Sequence, residues 1–408
     1  MCVVAALLSG EYQPMKDSIK DAHQGEYQTI PQAIATAPGR FHLIGEHTWF
    51  FKQKTLSMAV DLPVFAAVSK REDQSLHMYF TQIDDRKKCN ISSLKLKKED
   101  RWANAIKAVI YGFTSGGFEL GGMDVTISSE ILPSAGFGIT TAIKLSVAIA
   151  IRKVFDLKCN EYQLLQVVER GNRLFLQIEN YNSDNYSALF AKKGCFCVTD
   201  HFKNRVENIP NPFTENKFFL IDACVPRISL WNQETLFEPE NALLLGDLRE
   251  RKAGVFGGWQ YISDVTDINE TLSEVSEDTR RKLLCMIREH SDTMEAIVAL
   301  EKNEFCRFAR AVNHSHESLR DFYDLSCPEI DWLLKRVYEL EPNLENIHDP
   351  VTCGRITGKG FGRCIYTVVR PQDVEVLHQK LNEYERIFGF KPSCYEVHSA
   401  DGAHLVEG

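Results

Sequence analysis

Residues 37–50 read APGRFHLIGEHTWF. The stretch is strand-like and mostly apolar, yet Arg40, Glu46 and His47 crowd charge into it. Charged side chains in such a setting are either paired with one another for structural reasons or line a site, because an isolated buried charge is too costly to keep. The stretch alone leaves both readings open.

Two further segments carry the same ambiguity. LPSAGFGITTAIKLSVAIAI, from Leu132, has the outline of a loop running into a helix. Gly136 and Gly138 let backbone approach an anion closely, and a helix starting near Thr140 would aim its free N–H groups and positive dipole end at it. Thr140 and Thr141 add hydroxyls able to ligate a phosphate-bound Mg²⁺. A glycine turn before a buried helix accounts for the same residues. TCGRITGKGFGRCIYTVV, from Thr352, places Gly358, Gly360 and Gly362 ahead of a strand, for tight packing or for contact with a ligand.

The rest of the chain bounds the answer. With 408 residues it exceeds one ordinary core, so two domains are expected. Its 44% hydrophobic and 25% charged residues describe a globular protein. A net charge of −9 gives no support to a nucleic-acid surface, and the basic run KLKKEDR from Lys95 is interleaved with acids. Twelve cysteines are scattered without metal or redox spacing, which points to a reducing, cytoplasmic setting. No apolar window reaches the roughly 18 residues of a membrane span.

Along the chain, short β-like runs such as TLSMAVDLPVFAAVSKR alternate with helical ones such as RWANAIKAVIYGF. From Thr140 a helix apolar on all sides is expected, and Asn160 is placed to cap the next. A long helical region follows Ser276, and the end reads strand, helix, strand. The class is α+β.

Taken together, the three segments resemble, in order and spacing, the three motifs of the GHMP small-molecule kinases, and among these the galactokinases. APGRFHLIGEHT is similar to Pro-Gly-Arg-Val-Asn-Leu-Ile-Gly-Glu-His-Thr, and GRITGKGFGRC to Arg-Met-Thr-Gly-Ala-Gly-Phe-Gly-Gly-Cys. NHSHESLRDFYDLSCPEIDWL, from Asn313, follows the family's Ser-His-x-Ser-Leu-Arg…Ser-Cys-Pro-Glu-Leu-Asp segment. The resemblance implies a two-domain α+β GHMP fold: a mixed-sheet N-terminal domain over 1–176, a helix-rich ferredoxin-like domain over 177–389, and a site in the cleft between them. A C-terminal strand at about 390–408 is expected to return to the first domain.

The resemblance also implies roles. Asp184, nine residues after Phe175 and eight before Lys192, matches the catalytic Asp that faces the anomeric hydroxyl, and Arg40 matches its partner. Glu46 and His47 match sugar ligands. Gly136, Gly138, Thr140, Thr141, Gly358 and Gly360 match the nucleotide side, with the two threonines nearest a Mg²⁺. ATP, Mg²⁺ and a small sugar are the implied ligands of a monomer that binds neither nucleic acid nor membrane. Several positions depart from the pattern. Trp49 stands where the family has a sugar-binding Asp, and Tyr181, Asn182 and Ser183 replace Gly-Ile-Met before Asp184. Trp49 and Tyr181 are therefore expected to shape the sugar pocket. Ile139 replaces a loop serine, and Asn172 replaces a Mg²⁺-holding Glu. The expectation is a sugar 1-kinase; the alternative is a catalytically weak protein that binds sugar or nucleotide and regulates.

Overall fold

Two strands joined across facing prolines organise the molecule. The structure, a computed structural model, describes residues 13–47, 53–131, 137–178, 182–225, 273, 277–340, 349–357 and 364–408. Strand β1 (Ala33–Ile44) is buried along its whole length, as a strand covered on both faces must be, and it lacks the alternation of a half-exposed strand. It pairs antiparallel with the long β2 (Lys54–Lys70). Pro38 faces Pro63, and there the register slips so that Gly39 faces Val60. Proline offers no N–H to a ladder, and an irregularity of this kind re-aims the residues that follow it. The residue that follows is Arg40.

The first sheet runs β12-β1-β2-β5-β3-β4, with β3 (Ser75–Phe80), β4 (Asp85–Asn90), β5 (Met123–Ser129) and β12 (His404–Glu407). The β3–β5 pair is parallel and the other pairs are antiparallel, so the sheet is mixed. Helix α1 (Gln13–Tyr27) packs against β2 and β5, whereas α2 (Ala103–Thr114), α3 (Ile139–Val154) and α4 (Glu161–Gly171) build the helical layer whose α3 lies on β1 and β2. Asn160 caps α4 in a reciprocal arrangement with Gln163, as its sequence position predicts.

The second sheet is antiparallel, ordered β11-β8-β10-β9, with β8 (Lys217–Asp222), β9 (Cys353–Ile356), β10 (Cys364–Val369) and β11 (Ser393–Val397). Helices α6 (Glu277–Lys302), α7 (Phe305–Tyr323) and α8 (Pro328–Tyr338) lie between β8 and β9 in the chain, and α9 (Val374–Phe388) between β10 and β11. That order is the ferredoxin-like split arrangement. Its core gathers Phe219, Ile221, Leu319, Leu334, Ile365 and Tyr384.

The sheets change over later in the chain than residue 177. Helix α5 (Asn182–Phe190) is followed by β6 (Cys195–Asp200) and β7 (Arg205–Pro210), and both strands extend the first sheet. The length of β2 is the reason: Val64–Lys70 pairs with β5, leaving Lys54–Ser57 as an edge that β6 takes. Of the C-terminal strands, β11 stays in the second sheet and β12 pairs with β1. The two units meet along β1. Tyr366 on β10 donates its hydroxyl to the Leu43 carbonyl at 2.5 Å, and its ring lies 5.2 Å from that of Phe41. Among the described residues no helix is long and apolar enough to cross a membrane.

Candidate active site

Alternate residues of a strand share one face, so Arg40 and His42 project together from β1 just past the irregularity at Pro38. They meet the first turn of α5. Arg40 Nη2 stands 2.5 Å from Asp184 Oδ2. His42 Nε2 lies 2.9 Å from Ser183 Oγ and 3.5 Å from Asp184 Oδ1. All four residues are buried. A carboxylate in the first turn of a helix also faces free N–H groups and the positive dipole end. Asp184 is thus held from three directions in one orientation.

The glycine loop sits against the same pair. Beyond the reach of β12, the Arg40 N–H donates to the Phe137 carbonyl at 2.9 Å. Gly138 has φ +71°, and a Cβ there would stand 3.1 Å from the Arg40 guanidinium. Glycine at 138 thus meets two demands at once, a left-handed backbone and close contact with the Arg40 side chain. Helix α3 starts at the next residue, with Thr140 exposed and Thr141 largely buried on its first turn.

The donors for a divalent cation are thin. Asn172 Oδ1 accepts from Lys144 Nζ at 2.5 Å, so the amide that replaces the expected Glu faces an ammonium. Burial pushes the Glu169 carboxyl, one helical turn earlier, above its ordinary value. Among the described residues no group of three or more His, Cys, Asp or Glu is placed to hold a metal ion.

Glu46, expected as a sugar ligand, belongs to a buried network of charges. Its Oε1 accepts from Arg355 Nη1 at 2.7 Å. Arg355 Nη2 reaches Glu289 Oε1 and its Nε reaches Ser315 Oγ, each at 2.7 Å, while the Gly45 N–H donates to Glu289 at 2.8 Å. Ser315 in turn donates to the second Glu289 oxygen. This network joins β1, α6, α7 and β9, and its three charged side chains are wholly buried. Burial works against the Arg355 cation, yet Glu46 and Glu289 hold its pKa above the ordinary value. His47 lies beside Glu46 at 3.7 Å and packs its ring against Tyr323 at 5.9 Å.

Of the residues expected from sequence, Arg40, Asp184 and Gly138 are brought together, Thr140 and Thr141 follow on the adjoining helix, and Glu46 and His47 stand in the turn just past the end of β1. Trp49, Tyr181, Gly136, Gly358 and Gly360 lie outside the described residues. Sequence reasoning missed His42, Lys144, Arg355 and Glu289. His42 was legible as the strand neighbour of Arg40 two residues on, and Lys144 as the one charge inside an apolar helix. Arg355 and Glu289 have no local signal, since their partners lie hundreds or tens of residues away.

Comparison with known proteins bears on this geometry. The galactokinase galactose-binding signature matches residues 21–70, and the GHMP kinases N terminal domain matches residues 103–192. A Treponema pallidum protein, whose galactokinase name is itself provisional, is 38% identical over 95% of this chain and 96% of its own. The galactokinase of Bacillus subtilis is 25% identical over 91% of this chain and 94% of its own. Among solved structures, Lactococcus lactis galactokinase complexed with galactose shares the fold with a TM-score of 0.85, at 19% identity over 96% of this chain and 100% of that one. Methanococcus jannaschii mevalonate kinase follows with a TM-score of 0.62, at 15% identity over 91% and 99% of the two chains.

Proposed function

The chain belongs to the galactokinase family of GHMP kinases, and from that membership and the Arg40–Asp184 pair we propose that it transfers the γ-phosphoryl group of ATP to the anomeric hydroxyl of galactose or a close relative. It is a galactokinase-like, ATP-dependent sugar kinase. The observation that carries the reading is the buried 2.5 Å contact between Arg40 and Asp184.

Phosphoryl transfer passes through a loose transition state, so the protein contributes alignment and charge more than covalent chemistry. Asp184 accepts the proton of the sugar hydroxyl as its oxygen attacks the γ-phosphorus, and the bond to the departing ADP breaks on the opposite side. Arg40 fixes the acceptor oxygen of Asp184 and presents a cation to the charge spread over the equatorial oxygens. His42, held by Ser183, stands 3.5 Å from the second oxygen of the carboxylate. On the nucleotide side, Gly138 and the start of α3 offer backbone to the phosphates, and the family resemblance assigns Gly136, Gly358 and Gly360 to the same task. When bound, Mg²⁺ would shield the phosphates as their counter-ion, with Thr140 and Thr141 as the nearest hydroxyls. The family resemblance assigns His47, Trp49 and Tyr181 to the sugar side, next to the buried Glu46–Arg355 pair that follows β1. The loss of a carboxylate at Trp49 argues for a sugar that presents fewer hydroxyls there, or a stacked one. We place the enzyme in the cytoplasm, as a monomer, on its scattered cysteines and its small-molecule ligands.

A sugar panel assayed for ADP release tests the reading. Asp184→Asn is expected to lower kcat by about 10²–10⁴-fold while sugar and nucleotide still bind. The absence of sugar-dependent ADP from the wild type with every sugar tried would remove the kinase assignment.

A further inference from the structure

The end of β1 is gripped from the second unit over the stretch from His42 to Glu46. Thr357 donates its hydroxyl to the His42 carbonyl at 3.4 Å, and Tyr366 donates to that of Leu43. Glu289 on α6 accepts the Gly45 N–H at 2.8 Å, and Arg355 on β9 holds Glu46 at 2.7 Å. The turn so held stands close to the Arg40–Asp184 pair. His42 is 3.5 Å from the Asp184 carboxylate, and a strand advances about 3.4 Å per residue, so Gly45 comes about 10 Å along the chain from His42.

This grip is directional more than it is adhesive. Arg355 engages every nitrogen of its guanidinium: Nε with Ser315, Nη1 with Glu46 and the Ile356 carbonyl, Nη2 with Glu289. A buried ion network joins two units no more tightly than well-packed apolar side chains would, because desolvation offsets its Coulomb gain. What it adds is geometry, since a planar fork with fixed partners admits one arrangement of the groups around it. Gly45 supplies a second constraint. Its φ is +95°, and a Cβ there would stand 2.7 Å from the Lys54 carbonyl and 3.0 Å from the Thr293 hydroxyl of α6. A shift of this turn would break bonds to α6 and β9 at once.

We propose that Glu289 and Arg355 are positioning residues for the acceptor sugar: reaching across from the second unit, they fix the turn at Gly45, Glu46 and His47 and with it the seat of the sugar. The inference rests on the kinase reading above, in which this turn lies on the sugar side. It divides the work of the site between the units. Arg40 and α5, packed on the first sheet, hold the proton acceptor, whereas α6, α7 and β9 set the turn that receives the sugar.

The test is steady-state kinetics of ADP release on the full chain, with galactose as acceptor or, should galactose give no ADP, the sugar of the panel that gives most. Glu289→Gln keeps the shape of the side chain and removes the charge that faces Arg355 and the Gly45 N–H. It is expected to raise KM for the sugar about tenfold, the size of one charge-assisted bond, with KM for ATP within about twofold and kcat within about threefold. Ser315→Ala removes one partner of Arg355 and one donor to Glu289, and serves if the first variant does not fold; it should raise the sugar KM about threefold. Leu377→Ala, on α9 in the core of the second unit, controls for lost stability alone: its melting temperature falls while both KM values hold. A Glu289→Gln or Ser315→Ala variant whose two KM values move together, or not at all, overturns the proposal. So does a Leu377→Ala variant that raises the sugar KM as much as Glu289→Gln. A wild type that releases no ADP with any sugar defeats the kinase reading and this proposal with it, a failure seen before any variant is made.

Discussion

Replacing Arg355 with Met removes a cation that touches two carboxylates at once. Glu46 and Glu289 each sit 2.7 Å from it, and none of the three side chains is exposed to solvent. Methionine fills the volume of the stem but leaves two buried anions facing each other without a counter-charge. Breaking a buried pair in this way typically costs about 3–5 kcal/mol, most of it the penalty on the charge left behind. Ser315 and Gly45 still donate to Glu289, so the larger share of the loss falls on Glu46. The assay is urea unfolding at pH 7, read as a shift in midpoint at constant slope. Adding Glu46→Gln to Arg355→Met should restore about 1–3 kcal/mol, because an amide needs no counter-ion. A loss below about 1 kcal/mol, or one that Glu46→Gln leaves untouched, would show that the network carries no such strain on its charges.

Three further expectations follow from the site and its surroundings. His42→Asn, which installs the residue of the family pattern, should lower kcat about 5–10-fold with little change in KM for the sugar, because one weak restraint on Asp184 is lost; an unchanged kcat removes His42 from the positioning of that carboxylate. Gly138→Ala places a Cβ 3.1 Å from the Arg40 guanidinium on a backbone with φ +71°, costing about 1–2 kcal/mol, and should lower kcat/KM along with the melting temperature; equal activity would mean that Arg40 shifts freely. Burial, and then Asp61, push the Glu130 carboxyl up to about 7 from 4.5, so the folded protein loses stability as pH rises through that interval. Glu130→Gln should therefore raise the melting temperature at pH 8 and leave it unchanged at pH 4.

The sequence carried the fold further than it carried the site. Three motif segments in order, with a buried helix after the glycine loop, were enough to single out Arg40 and Asp184, because each lies at a fixed offset from recognisable neighbours, and the fold sets the two in contact. Sheet membership was not readable in the same way. Nothing local says that β6 and β7 belong with β2, since a strand's partner is decided by which edge is open, here Lys54–Ser57. Glu46 shows the limit most clearly. Its motif position implies a sugar ligand, yet its Oε1 is committed to Arg355, 309 residues away in the chain. Lys144 shows the opposite failure: a buried charge stood in plain view, and the apolar pattern around it drew attention away.

The pairing of β12 with β1 has a consequence for how the protein is made. Ile34 finds its partner in Glu407, about 370 residues later. At about 5–20 residues per second of synthesis, the outer edge of a wholly buried strand waits roughly 20–75 s for its neighbour. An uncovered apolar edge is a template for joining other chains, and lysines beside such an edge discourage this. Lys16 and Lys20 on α1 stand there, and in the finished molecule both close on Glu407 at 2.8 Å. The two ammonium groups thus tie α1 to the strand that covers the edge of β1.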